Sequence, residues 1–85
     1  MTQEELKEFF KDNKKVKGRL TSGEVATIAA ELPSITLNMD RESQEYYYSI
    51  FMDDLKKVKN EHFLNDLKTL GFYLSDDFNF ILLTI

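Results

Sequence analysis

Residues 34–51, SITLNMDRESQEYYYSIF, decide the fold of this chain because two strand-like runs flank a short polar loop. In the first run, apolar residues alternate with polar ones, which is typical of a half-buried strand. The loop at 40–44 has the length and polarity of a hairpin connection. The second run could also form a helix, but its aromatic and β-branched residues favour a return strand.

Strand geometry would separate the three consecutive tyrosines, because successive side chains point to opposite faces of a sheet. Tyr46 and Tyr48 would share a face with Ile50, so we expect them on the core side. Tyr47 would share the other face with Ser49, which makes it the first tyrosine to test at a binding surface. A helical conformation of 45–52 would reverse this assignment.

The flanking sequence contains signals for helices. A T-x-x-E capping box at the N-terminus predicts a helix over 3–12. The apolar spacing after a second capping signal predicts a helix over 22–32, although the same residues also alternate as a strand would. A third helix is predicted over 54–70, ending at Gly71, with Asn60 as a point where it could break.

The C-terminal stretch 72–85, FYLSDDFNFILLTI, predicts a β-hairpin with its turn at Ser75–Asp77. Its last strand is apolar on both faces, so we expect it to be buried on both sides or to pair with another chain. At a sheet edge it would form a homodimer across a two-fold axis. The fold predicted is α+β, with two to three helices packed on a mostly antiparallel sheet of four to five short strands.

Length and composition restrict the class of protein. A chain of 85 residues fits one domain, 1–85, and its 42% hydrophobic content is that of a globular protein. There is no cysteine, no apolar run long enough for a membrane span and no secretory signal pattern. We therefore expect a cytoplasmic protein that does not contact membranes.

Charge is unevenly distributed along the chain. The net charge is −4, yet residues 11–19 contain five basic side chains and one acidic, a local charge of +4. Residues 20–85 contain five basic and eleven acidic side chains, a local charge of −6. An acidic body attracts basic protein surfaces and repels nucleic acids, whereas the basic segment has the opposite preference.

The sequence contains no recognisable catalytic motif. There is one histidine, His62, and its only neighbour at helical metal-ligand spacing is Asp66. No glycine-rich phosphate loop, nucleophile elbow or zinc-binding helix pattern is present. We predict that the protein is not an enzyme and uses no cofactor or metal.

We predict a small acidic module that binds another protein and inhibits or regulates it by occupying a basic surface, as small acidic inhibitors of phages and mobile elements do. That comparison rests on size and charge alone. The alternative is a winged-helix-like nucleic-acid-binding protein, with 54–70 as its recognition helix and the C-terminal hairpin as its wing. The predicted partner-binding residues are Glu42, Glu45, Tyr47, Asp53 and Asp54, and the alternative nucleic-acid-binding residues are Lys14, Lys15, Lys17 and Arg19.

Overall fold

The helices lie on one face of a four-stranded antiparallel sheet and leave the other face uncovered. The computed structural model describes all 85 residues. The helices are α1 (Gln3–Phe10), α2 (Ser22–Glu31), the one-turn α3 (Met52–Leu55) and α4 (Glu61–Leu70). The strands are β1 (Thr36–Met39), β2 (Tyr46–Phe51), β3 (Tyr73–Leu74) and β4 (Phe80–Thr84), in the spatial order β1-β2-β4-β3. The predicted α+β class and C-terminal hairpin are confirmed.

Capping boxes start the first two helices. Thr2 Oγ1 accepts the N–H of Glu5 at 3.2 Å, and Thr21 Oγ1 accepts the N–H of Glu24 at 3.1 Å. Each glutamate accepts the threonine N–H in return, and these hydrogen bonds lower the pKa of both carboxyls. The helical interpretation of 22–32 is therefore confirmed over the strand.

The segment 54–70 is not one continuous helix, and α4 begins directly after Asn60, the residue at which the sequence allowed a break. Asn60 has extended backbone angles, φ −86° and ψ 102°, and its side chain accepts the N–H of His62 at 3.0 Å. This cap begins α4 and separates it from α3, because an N-cap residue cannot continue a preceding helix. Gly71, with φ 107°, ends α4 in the left-handed conformation, as its position predicts.

The hairpin of β1 and β2 is confirmed, and it places β2 beside β4. Tyr47 is paired with Asn38 on one side and with Thr84 on the other. β4 is an interior strand, because β3 pairs with its other edge and Gly18 N donates to Thr84 O at 2.7 Å. β4 therefore does not lie at the sheet edge, which is the position that dimerisation through the C-terminal strand requires.

The core lies between the sheet and the helices. Ile50, Ile81 and Leu83 project from the two central strands and are completely buried. The other members of the core come from the helices and the segments beside them: Leu6, Phe10, Ile28, Leu32, Met52, Leu55, Val58, Phe63, Leu64, Leu67 and Phe72.

The burial of β4 and the length of the helices test two expectations about apolar segments. Phe80 and Leu82, on the opposite side of β4, are only half-buried, so the expectation that this strand is buried on both faces is wrong over most of its length. The reason is that all the helices cover the same face of the sheet. No helix is long and apolar enough to cross a membrane.

Candidate protein-interaction face

The uncovered side of the sheet presents outward-facing residues from all four strands. Strand alternation and the pairing register place them on one surface, and together with their surroundings they line a depression of about 950 Å³. We call this surface the open face. It consists of Thr36, Asn38, Tyr47, Ser49, Phe51, Tyr73, Phe80, Leu82 and Thr84.

The polar groups in the floor of the open face are paired with one another. The hydroxyls of Tyr73 and Thr84 lie 2.7 Å apart, and Asn38 Nδ2 donates to Ser49 Oγ at 3.0 Å. Ser49 and Thr84 are buried although no helix covers them. No buried side-chain nitrogen or oxygen lacks a partner. The floor is therefore preorganised by its own hydrogen bonds.

Aromatic side chains stand on the two central strands of the open face. Phe51 and Phe80 are directly opposite in the β2–β4 ladder, with ring centroids 4.6 Å apart and planes tilted by 37°. Phe51 nevertheless keeps 47% of its surface exposed. Tyr47 lies on the same face, half-buried, toward the other end of β2. These rings offer a partner apolar area without requiring the sheet to rearrange.

Carboxylates lie at two opposite corners of the rim. Asp40 and Glu45 belong to the β1–β2 hairpin, whereas Asp76 and Asp77 belong to the β3–β4 turn at the other end of the sheet. Asp77 is engaged in its own turn, where hydrogen bonds from the Ser75 hydroxyl and the Asn79 N–H lower its pKa. Asp76 has no hydrogen bond or ion pair within the chain. It can therefore contact a partner directly.

Two lysines form the third corner of the rim. Asn13 fixes the start of their segment by donating from Nδ2 to Lys68 O at 2.9 Å and to Phe72 O at 2.7 Å. Lys14 and Lys15 follow and line the depression. Lys15 Nζ lies 3.9 Å from Glu45 Oε1, and solvent screening makes such an exposed pair weak. Four carboxylates against two ammonium groups leave the rim with net negative charge.

The five predicted partner-binding residues do not form a single cluster. Glu45 and Tyr47 both line the open face, and Glu42 lies beside them in the hairpin loop. Asp53 and Asp54 belong to α3, beyond the opposite end of β2.

The two aspartates of α3 have structural partners of their own. Asp53 forms an ion pair with Lys56 at 2.8 Å, and the hydrogen bond from that lysine lowers its pKa. Asp54 accepts a hydrogen bond from the Ser34 hydroxyl and lines a separate depression with Lys57 and Lys59. Neither aspartate lines the open face.

The basic segment is also divided. Lys14 and Lys15 line the open face, whereas Lys17 and Arg19 lie beside Tyr46 and Ile85 at the end of the sheet. The extended backbone, which forms a β-bridge from Lys17 to Thr84, separates the two pairs. The winged-helix arrangement predicted for this alternative is not present, since its recognition helix is broken and β4 is an interior strand.

Sequence reasoning missed most of the aromatic part of the open face. The alternation within β2 places Phe51 on the same face as Tyr47, so Phe51 could have been identified from the sequence as part of the open face. Phe80, Leu82 and Tyr73 join that face only through the pairing of β4 with β2 and β3. That register is a long-range property that no local pattern specifies.

The remaining candidate chemistry is sparse. His62 is exposed in the first turn of α4, and no three histidine or acidic side chains converge at distances suited to a metal ion. Comparisons with protein-family models, with curated proteins and with solved structures found no match. A functional argument for this chain therefore depends on the open face.

Proposed function

We propose that this protein is a non-enzymatic binding module that inhibits or regulates another protein by covering a basic surface with its open face. One observation carries the proposal: the exposed ring of Phe51 and the half-buried rings of Tyr47 and Phe80 occupy a helix-free sheet face whose rim carries four carboxylates and two lysines. The lack of cysteine, and hence of any disulfide framework, supports action in the cytoplasm.

Two physical effects support this mode of binding. Tyr47 and Phe51 provide rigid apolar area at a low cost in conformational entropy, which is why aromatic residues are enriched at binding hot spots. The carboxylates of the rim would steer a positively charged partner toward that area and accelerate association, most strongly at low salt.

Charge reversals at two exposed aspartates test the proposal. A partner captured from the native host by the tagged protein and identified by mass spectrometry serves as the ligand in a titration. Asp76→Lys, on the rim, should weaken binding at least about tenfold. Asp53→Lys makes the same change in net charge away from the open face and should leave the affinity within about twofold.

A truncation tests the aromatic part of the same surface. Tyr47→Ala should raise the Kd by at least about tenfold, the effect expected of an interface anchor. Equal losses for Asp76→Lys and Asp53→Lys, or full binding by Tyr47→Ala with a native circular dichroism spectrum, would refute the open face as the contact surface.

Nucleic-acid binding is a second candidate, and one observation favours it. Lys14 and Lys15 border the same face as the aromatic rings, an arrangement that resembles platforms on which single-stranded bases stack. It predicts a gel shift of a single-stranded oligonucleotide that weakens steeply with salt and is lost in Lys14→Glu/Lys15→Glu. The carboxylates of the rim oppose this function, so we expect no shift at low salt.

A further inference from the structure

The edge strand β1 presents free backbone hydrogen-bonding groups at two positions. Asp40 N donates to Glu45 O at 2.8 Å, which identifies Asp40 as a residue whose backbone faces β2. Because hydrogen-bonded positions alternate in an antiparallel ladder, Asn38 and Thr36 also face β2. Leu37 and Met39 must therefore direct their N–H and C=O groups away from the sheet, toward the open edge.

The side chains of the same two residues are exposed. Leu37 has 50% and Met39 has 49% of its surface accessible, and Tyr46, the cross-strand neighbour of Met39, has 51%. All three lie on the helix side of the sheet, where the helices do not reach them. β1 contains no charged residue and no proline, although exposed edges are commonly blocked by such residues.

We propose that a second copy of this chain pairs with β1 in antiparallel orientation about a two-fold axis through Asn38. In this register Leu37 of each copy lies opposite Met39 of the other, as two hydrogen-bonded pairs. Each pair exchanges two backbone hydrogen bonds. The resulting four bonds use all the outward-facing N–H and C=O groups of Leu37 and Met39 in both copies. The two sheets become one continuous sheet of eight strands, since each copy supplies four.

Side chains on the helix side fit the same register. Leu37 and Met39 of the two copies would lie directly across from each other, with Tyr46 and Tyr48 continuing the apolar rows on either side. Burying these half-exposed side chains supplies the hydrophobic contribution that a backbone ladder alone lacks.

The symmetry of the edge favours a second copy as its occupant. The outward-facing groups of Leu37 and Met39 lie on either side of Asn38, so an identical antiparallel strand pairs with all of them, and two-fold dimers are the commonest oligomers. Extending the register places Ser34 of one copy opposite Glu42 of the other. Ser34 shares a depression with Glu31, Asp54, Lys57 and Lys59, whose charges balance, so the acidic hairpin loop of the partner would meet no net repulsion there.

The test is the oligomeric state in solution. Sedimentation equilibrium of the full chain, up to a protein concentration of about 1 mM, should show a reversible monomer–dimer equilibrium. Leu37→Lys/Met39→Lys should weaken dimerisation at least about tenfold while keeping the native circular dichroism spectrum, because charged side chains block an edge.

Position 36 tests the register independently, because Thr36 would face Asp40 of the second copy. Thr36→Lys should strengthen the dimer and Thr36→Asp should weaken it, since opposite charges across a ladder attract and like charges repel. A monomer at every concentration, or dimers unaffected by the changes at 37 and 39, would overturn the proposal. Equal effects of the two changes at Thr36 would overturn the register.

Discussion

Asn13 holds the basic segment 11–19 against the end of α4. Replacing Asn13 therefore tests what positions Lys14 and Lys15 on the rim of the open face. Asn13 Nδ2 donates to two carbonyl oxygens, those of Lys68 and Phe72, at 2.9 and 2.7 Å. A hydrogen bond contributes about 1 kcal/mol net, so Asn13→Ala should lower the free energy of unfolding by about 2 kcal/mol. For a domain of this size, that corresponds to a fall in Tm of about 10 °C.

Asn13→Asp should be more damaging at neutral pH, because a carboxylate would face two carbonyl oxygens with no proton to donate. This environment would raise the pKa of the new carboxyl above its unfolded value of about 3.9. A group with a raised folded pKa loses stability as pH rises through that value. The excess penalty of Asn13→Asp over Asn13→Ala should therefore shrink as pH falls through the raised folded pKa, and it should be absent below about 4.

Urea unfolding followed by circular dichroism provides the measurement, with each variant compared with the wild type at the same pH. Asn65→Ala is the matched control, since Asn65 is exposed on α4 and should change stability by no more than about 0.5 kcal/mol. If Asn13→Ala were as mild as Asn65→Ala, the two hydrogen bonds would not hold the segment. If Asn13→Asp matched Asn13→Ala at every pH, the argument from donors and acceptors would fail.

Three further predictions concern stability. Tyr73→Phe should cost about 1–2 kcal/mol in urea unfolding, because it leaves the buried hydroxyl of Thr84 without its partner at 2.7 Å. Gly71→Ala should cost about 1 kcal/mol or more in the same assay, because φ of 107° strains any residue with a Cβ. Glu5→Gln/Glu24→Gln should be less stable than the wild type at pH 7. Because folding lowers both carboxyl pKa values from 4.5, that difference should disappear as pH falls below this value, and a constant difference down to pH of about 3 would contradict it.

The predictable part of the fold depends on interactions between residues that are close in sequence. The capping boxes at Thr2 and Thr21 join residues three positions apart, and both helices begin where the sequence indicates. The alternation in 34–51 identified the hairpin, and it placed Tyr47 on the face opposite Ile50. Each of these patterns carries its physical cause within a few residues.

The unpredicted part depends on contacts between distant segments. Phe51 meets Phe80 because β4 is inserted between β2 and β3, and this strand order is not encoded in any single run. Asn13 directly follows the helix predicted over 3–12, yet its amide donates to carbonyl oxygens 55 and 59 residues away. The candidate site was therefore only partly predictable, since β2 could be assigned and its neighbours could not.

The composition of the open face favours the proposed binding role over simple exposure of a sheet to water. An antiparallel sheet can face water on one side, and such a face normally carries polar residues. Thr36, Asn38 and Ser49 follow that rule, but Phe51 and Phe80 break it side by side on the two central strands. A single exposed apolar residue requires no explanation, whereas adjacent aromatic rings on a hydrogen-bonded floor form a continuous patch. The carboxylates around that patch would not stabilise it in isolation, but they would complement a basic partner. Coverage by another molecule, as we propose, would explain both the ring pair and its acidic rim.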